Sequence, residues 1–285
     1  MSNGEEYPWD FLSTDEAQFV KTIMCELVDE PWAGRLLRDI NRNGGLTRAN
    51  KARFLELRFG YALRQAGITL RYEVEGEAQS KLDFGFTASG QCWLVELMRL
   101  HETEAVKRAT TTGKDADGIV WGQQFLGPNA QDPTQSEAGE TIKAVQRICQ
   151  KCERNGEPHK FPIPDAAYHV MLVDFRIFLQ GGDEYDRIHV GLGAESVPEK
   201  FCRRYWNRKP ILGAFSPDTE VHGAPEIRER VHFLGFVCEK TYENGAFGRA
   251  TQFIANPNLL QSTAEVQSAI ATWPLRPARV LNGGR

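Results

Sequence analysis

Two acidic residues of this 285-residue chain stand where neighbouring β-strands can bring them together. Lys81–Ala88 (KLDFGFTA) and Gln91–Leu100 (QCWLVELMRL) have strand character, and Ala88-Ser89-Gly90 between them makes a short turn, so the two segments read as a hairpin. Asp83 lies on the first strand and Glu96 on the second. Strand residues two apart share a face, which sends Lys81, Asp83 and Gly85 one way and Leu82, Phe84 and Phe86 the other. On the second strand Leu94, Glu96 and Met98 share a face. Two carboxylates on a rigid sheet can converge on a hard cation such as Mg²⁺ or Mn²⁺, with waters and a substrate phosphate in the remaining positions. Glu96 lies within Trp93-Leu94-Val95-Glu96-Leu97-Met98, apolar on both faces, where a carboxylate is costly unless paired or metal-bound. The plain alternative is a pair of salt-bridged or exposed acids.

The elements that must position these residues follow from periodicity. Asp15–Asn41 is helical, with Phe19, Ile23 and Leu27 on one stripe, and Asn43-Gly44-Gly45 breaks the chain. A second helix runs from Thr47 as N-cap to Gly67 beyond its C-terminus, with Phe54, Leu57, Tyr61, Ala62 and Ala66 on its apolar side. Thr69–Glu75 is a strand ahead of the hairpin. Residues 101–137, rich in turn formers, read as a long insertion. Ala138–Asn155 reads as a helix with Ile142, Val145, Ile148 and Cys149 on one side, Gly156–Pro164 as a break, and Ala166–Leu179 as a buried strand. Beyond Gly181-Gly182, Val197–Trp206 reads as helix and Val231–Thr241 as a strand paired with Gly248–Ala255. The tail Trp273–Arg285 reads as loose.

The order helix, three strands, helix, strand resembles the core of the PD-(D/E)XK nucleases. The resemblance covers Thr47 to Phe178. Lys81-Leu82-Asp83-Phe84 is similar to the first half of the family motif, with Leu82 where proline often stands. Val95-Glu96-Leu97-Met98 is similar to the second half, with Met98 in the place of the lysine. The resemblance implies a restriction-endonuclease-like αβββαβ core with a mixed sheet. Residues 1–45 would form an N-terminal helical cap, 46–180 the core and 181–285 a C-terminal α/β extension of the same domain. It implies a metal-dependent phosphodiesterase acting on DNA or RNA, with Asp83 and Glu96 on the metal and Glu56, on the preceding helix, as a further ligand. The cation lost at Met98 must then come from elsewhere. Lys143, Gln146, Arg147 and Lys151 follow on the next helix, and Lys81 lies beside Asp83; Lys143 is favoured. The other reading is a catalytically inactive nuclease fold kept for nucleic-acid binding or protein interaction.

The net charge of −4 rules out a chain that is basic all over but not a basic face. From Arg35 to Arg71, nine basic residues stand against Asp39 and Glu56. Among them Arg48, Lys51, Arg53 and Arg58, with Gln146 from the later helix, are the expected nucleic-acid contacts. Arg203-Arg204-Tyr205-Trp206-Asn207-Arg208-Lys209 mixes cations with aromatics, a pattern for backbone contact and base stacking, with a solvated helix face as the alternative. Cys149 and Cys152 form a C-x-x-C without the second pair that a zinc ribbon needs, and read as helix residues. No P-loop, G-x-S-x-G elbow, dinucleotide fingerprint or H-x-x-x-H occurs. MSNGEEYPWDF has neither a basic nor an apolar signal region, and no apolar run approaches a membrane span. A cytoplasmic protein with reduced thiols is expected, with nucleic acid as partner and a homodimer or protein partner left open.

Overall fold

A computed structural model describes residues 12–101, 104–114, 120–124, 137–176, 182–193 and 212–282. The stretch read as helical over Asp15–Asn41 forms two helices, α1 (Thr14–Glu26) and α2 (Ala33–Arg42). Ser13 caps α1 by accepting the Glu16 N–H at 3.1 Å. Val20, Ile23 and Leu27 meet Leu36, Ile40 and the Phe54, Leu57 and Tyr61 side of α3 (Lys51–Gln65) in one buried cluster. Thr47 does not cap α3. It precedes a 3-10 turn over Arg48–Asn50 and makes no side-chain capping bond, whereas Asn50 is buried and donates to the carbonyls of Ile40 in α2 and of Asn43 and Gly45 in the loop after it. Gly67 ends the helix in the left-handed region, at φ 74°.

Strands β1 (Leu70–Glu75), β2 (Lys81–Ala88) and β3 (Gln91–Arg99) follow as expected. The insertion carries α4 (Glu104–Arg108) and a hairpin of β4 (Thr110–Lys114) and β5 (Val120–Gln124). Then come α5 (Glu137–Gln150), a second small hairpin of β6 (Glu153–Arg154) and β7 (Glu157–Pro158), and β8 (Ala167–Asp174). Helix α5 ends sooner than periodicity suggests, because Asn155-Gly156 turns the chain in the left-handed region at φ 56° and 82°. The rest of the fold is α6 (Glu184–Gly191), α7 (Ala224–Arg230), β9 (Phe233–Val237), α8 (Ala246–Arg249), β10 (Thr251–Ala255), α9 (Thr263–Ala271) and β11 (Arg279–Leu281).

One seven-stranded sheet runs in the order β1-β2-β3-β8-β9-β10-β11. The β1/β2, β2/β3 and β9/β10 pairs are antiparallel, and β3/β8, β8/β9 and β10/β11 parallel, giving a mixed α/β sheet. Helices cover both faces, as parallel strands require. Phe84, Trp93, Val95, Leu172 and Phe253 pack on one side with α3, α8 and α9; Met171, Val173, Leu234 and Phe236 pack on the other with α5 and α7. The tail is not loose. Trp273 is buried and stacks on Phe59 at 6.1 Å, and Arg279–Leu281 pairs with β10. The segments Val197–Trp206 and Arg203–Lys209 lie outside the described residues. No helix among the described residues is long and apolar enough to cross a membrane.

Candidate functional site

The β2–β3 hairpin turns at Ser89 and Gly90, both left-handed at φ 49° and 77°, which fits the twist of the flanking strands. The register from Ala88↔Gln91 to Phe84↔Val95 would next pair Asp83 with Glu96. There the ladder stops, and the Leu97 N–H donates to Asp83 Oδ2 at 2.6 Å. On the other side β1 makes a matching irregularity: the register passes from Tyr72↔Phe84 to Val74↔Leu82, and Glu73 between them is left-handed at φ 54°. Alternation reverses on both strands. Leu82 is buried in the α5-side cluster while Phe84 lies in the α3-side cluster, and Val74 and Tyr72 divide in the same way. The expectation that Leu82 shares a face with Phe84 and Phe86 is therefore corrected: period-2 counting cannot see a local break in the alternation that leaves the register unchanged. The deformation is centred on Asp83.

Glu96 comes from a regular stretch of β3 and points, with Leu94 and Met98, toward the α5 side. It is 1% exposed. Its Oε1 pairs with Lys151 Nζ at 3.0 Å and Lys160 Nζ at 2.9 Å, while its buried Oε2 has no hydrogen-bond partner in the structure. Glu56, half-buried on α3, accepts the Tyr72 hydroxyl on Oε2 at 2.6 Å. The three carboxylates sense one another. Burial, then the charges of Glu96 and Glu56, hold the Asp83 carboxyl well above the usual range. Burial and the Glu96 charge likewise raise Glu56, although the Tyr72 hydrogen bond opposes them. Burial disfavours the charge on Lys151, yet Glu96, Asp83 and Glu56 more than offset it and its pKa is raised. Of these acids, Lys151 pairs directly with Glu96.

The two lysines arrive together because the β6–β7 hairpin pairs Glu153 with Pro158 and Arg154 with Glu157. Continued by the His159 N–H to Cys152 carbonyl bond of 2.8 Å, that register sets Lys151 opposite Lys160. Cys149 and Cys152 are buried in the α5-side cluster and anchor the base of the hairpin; burial pushes the Cys149 thiol up to about 12. Lys160 is tied to the β1–β2 turn. Its N–H donates to Ser80 Oγ at 3.0 Å, its carbonyl accepts from the Glu77 N–H at 2.8 Å, and its Nζ donates to the Lys81 carbonyl at 2.6 Å. Gly76 makes room for it: a Cβ there would lie 2.3 Å from the Lys160 carbonyl oxygen.

Several expected site residues stand elsewhere. Lys143 bonds Glu140 of its own helix at 3.0 Å rather than Glu96. Lys81 lends its carbonyl to Lys160, but its ammonium pairs with Glu73 at 3.3 Å. Gln146 is half-buried on α5. The nucleic-acid contacts expected on α3 need correction. Lys51 and Arg58 are 4% and 1% exposed and pair with buried Glu16 at 3.6 and 2.7 Å; Arg58 also donates to Glu239 at 2.9 Å. These charges tie α1 to the core, so they offer no face to phosphate. Arg48 remains exposed, and half-buried Arg53 reaches Asn50 Oδ1 at 3.4 Å. Arg99 turns away from the site to Asp174 at 3.6 Å, as strand alternation requires. Sequence reasoning named Lys151 without favouring it and missed Lys160 and Tyr72. The Asn155-Gly156 turn signal could have paired the two lysines.

No protein-family model, curated protein or solved structure matches the chain. Among the described residues no group of three or more His, Cys, Asp or Glu side chains is arranged to hold a metal ion. A hard cation of the Mg²⁺ kind asks for less, since one or two carboxylates suffice when waters and substrate phosphate complete the shell. Asp83 and Glu96 are two carboxylates of that donor type on neighbouring strands, and the unpartnered Glu96 Oε2 is a buried anionic oxygen suited to a cation.

Proposed function

We propose that this chain has a PD-(D/E)XK-like core and is a metal-dependent phosphodiesterase acting on nucleic acid, with Lys151 supplying the cation that Met98 cannot. The observation that carries the reading is the buried Glu96 carboxylate, paired on one oxygen with Lys151 and Lys160 and left unpartnered on the other, on the strand next to that of Asp83. Asp83 and Glu96 would hold Mg²⁺ or Mn²⁺, with Glu56 beside them. When bound, such an ion lowers the pKa of a coordinated water and polarises the scissile phosphate. The chain's own groups do the rest. The Leu97 N–H fixes Asp83, and the Tyr72 hydroxyl fixes Glu56. Lys160, held at backbone and side chain, orients Glu96. Lys151 is the more exposed lysine, 35% against 17%, and is placed to stabilise charge on the phosphate as it develops.

The inactive-scaffold reading also has an observation behind it: two lysines already balance Glu96 without any metal. Cleavage of DNA and RNA substrates in Mg²⁺, Mn²⁺ or chelator separates the two. Asp83→Ala and Glu96→Ala should abolish metal-dependent cleavage while leaving binding largely intact. Lys151→Met should lower turnover about 10²- to 10³-fold. An inactive wild-type protein whose Asp83→Ala variant binds nucleic acid more tightly would favour the scaffold, and undiminished cleavage by the Asp83→Ala, Glu96→Ala double variant would overturn the site itself.

A further inference from the structure

Helix α2 carries its charge on one side only. Ala33, Leu36, Leu37 and Ile40 are buried against α1 and α3. Arg35, Arg38 and Arg42, spaced i, i+3, i+7, lie on the opposite, exposed face. The helix has a single acid, Asp39, at the loose distances of 3.9 Å from Arg35 and 4.0 Å from Arg42. Arg38 makes no ion pair among the described residues, and Arg42 is 76% exposed. Arg48, also exposed, follows in the next turn of chain.

This stripe is joined to the candidate site by a chain of contacts. Arg35 pairs with Glu73, the left-handed residue of β1. Glu73 also holds Lys81 at 3.3 Å, the Lys81 carbonyl holds Lys160 Nζ at 2.6 Å, and Lys160 holds Glu96 at 2.9 Å. A polymer with its phosphate at the carboxylates would thus reach α2 over the edge of β1.

We infer that the arginine face of α2 is the substrate track, binding the phosphate backbone of a nucleic-acid duplex whose scissile phosphate lies at Asp83 and Glu96. The inference rests on the nucleic-acid reading of the site. Arg35 to Arg42 spans about 10 Å along a straight helix axis, about three phosphates of one strand. The stripe has no aromatic residue, and the aromatic platforms that hold single strands are missing from it. Guanidinium groups in a row along a helix suit the regular phosphate backbone of a double helix, and they contact phosphate without reading sequence.

The test measures affinity for a labelled 20-base-pair DNA duplex by fluorescence anisotropy across a salt series, in chelator so that nothing is cut. Arg38→Gln, Arg42→Gln is compared with wild type and with Lys21→Gln, an exposed residue of α1 away from the stripe. The slope of log affinity against log salt should shrink by about two in the double variant and stay unchanged in the control. An RNA duplex should lose the same amount, and a single strand much less. Circular dichroism melts should match wild type, since all three sites are exposed. An unchanged duplex slope, or an equal loss on single strands, overturns the inference. Cleavage by wild type with unaltered binding by the double variant would remove the track but leave the site; stripe-dependent binding without any cleavage would do the reverse.

Discussion

The two central carboxylates should respond oppositely to neutralisation. Glu96 is matched by two lysines. Asp83 has the Leu97 N–H and the more distant Lys160 charge in its favour, but burial and two neighbouring carboxylates outweigh them. Because burial and those charges raise its pKa in the fold, folding favours its protonated form. The cost of ionising Asp83 is therefore absent below its unfolded pKa of about 4 and grows, by up to about 1.4 kcal/mol per pH unit, until its folded pKa is passed. Asp83→Asn keeps an oxygen for the Leu97 N–H and removes the charge. In chelator it should stabilise the protein at pH 7 by about 1–2 kcal/mol, the usual scale on which functional sites cost stability, or about 3–6 °C in Tm. The gain should vanish near pH 4. Glu96→Gln leaves Lys151 and Lys160 without their buried counter-charge and should cost about 3 kcal/mol, near 6–10 °C. Saturating Mg²⁺ or Mn²⁺, at about 100 times Kd, should then stabilise wild type by about 2.7 kcal/mol and neither variant. Differential scanning calorimetry between pH 4 and 8, with and without metal, reads all of this. An Asp83→Asn variant less stable than wild type in chelator at pH 7, or a difference independent of pH, would refute the electrostatic account of the site.

Arg58→Ala should cost about 3–5 kcal/mol in urea unfolding, because Glu16 and Glu239 lose a buried partner, while the salt dependence of nucleic-acid binding should not change. Buried His169 and His232 have pKa values lowered to about 4, chiefly by burial, with the His169 N–H donating to His232 Nδ1 at 3.0 Å. Unfolded histidines protonate first, so stability should be lost as pH falls from about 6.5 to about 4, by at most about 3 kcal/mol for each ring. Urea midpoints measured across that window should flatten in a His169→Gln, His232→Gln variant; an equally steep profile would count against the pair.

The amino-acid sequence by itself determined the elements and the presence of paired acids. Alternation and turn residues specify β1 to β3, the Ser89-Gly90 hairpin and the pairing of β9 with β10, because those patterns are local. Asp83 and Glu96 were legible as acids on the two neighbouring strands of that hairpin for the same reason. The break in alternation at Glu73 and Asp83 was not, since a left-handed residue resets the face count without altering composition. Charge was legible only as a sum. The basic excess from Arg35 to Arg71 looked like one surface, but packing divides it: Lys51 and Arg58 turn inward to Glu16 and Glu239, while Arg35, Arg38 and Arg42 stay out. That division depends on residues as far apart as Arg58 and Glu239, which only the closed fold brings into contact. The choice of Lys151 and Lys160 over Lys143 is of the same kind. The sequence alone favours Lys143, whereas the docking of the β6–β7 hairpin on the turn at Gly76 decides which ammonium groups reach Glu96.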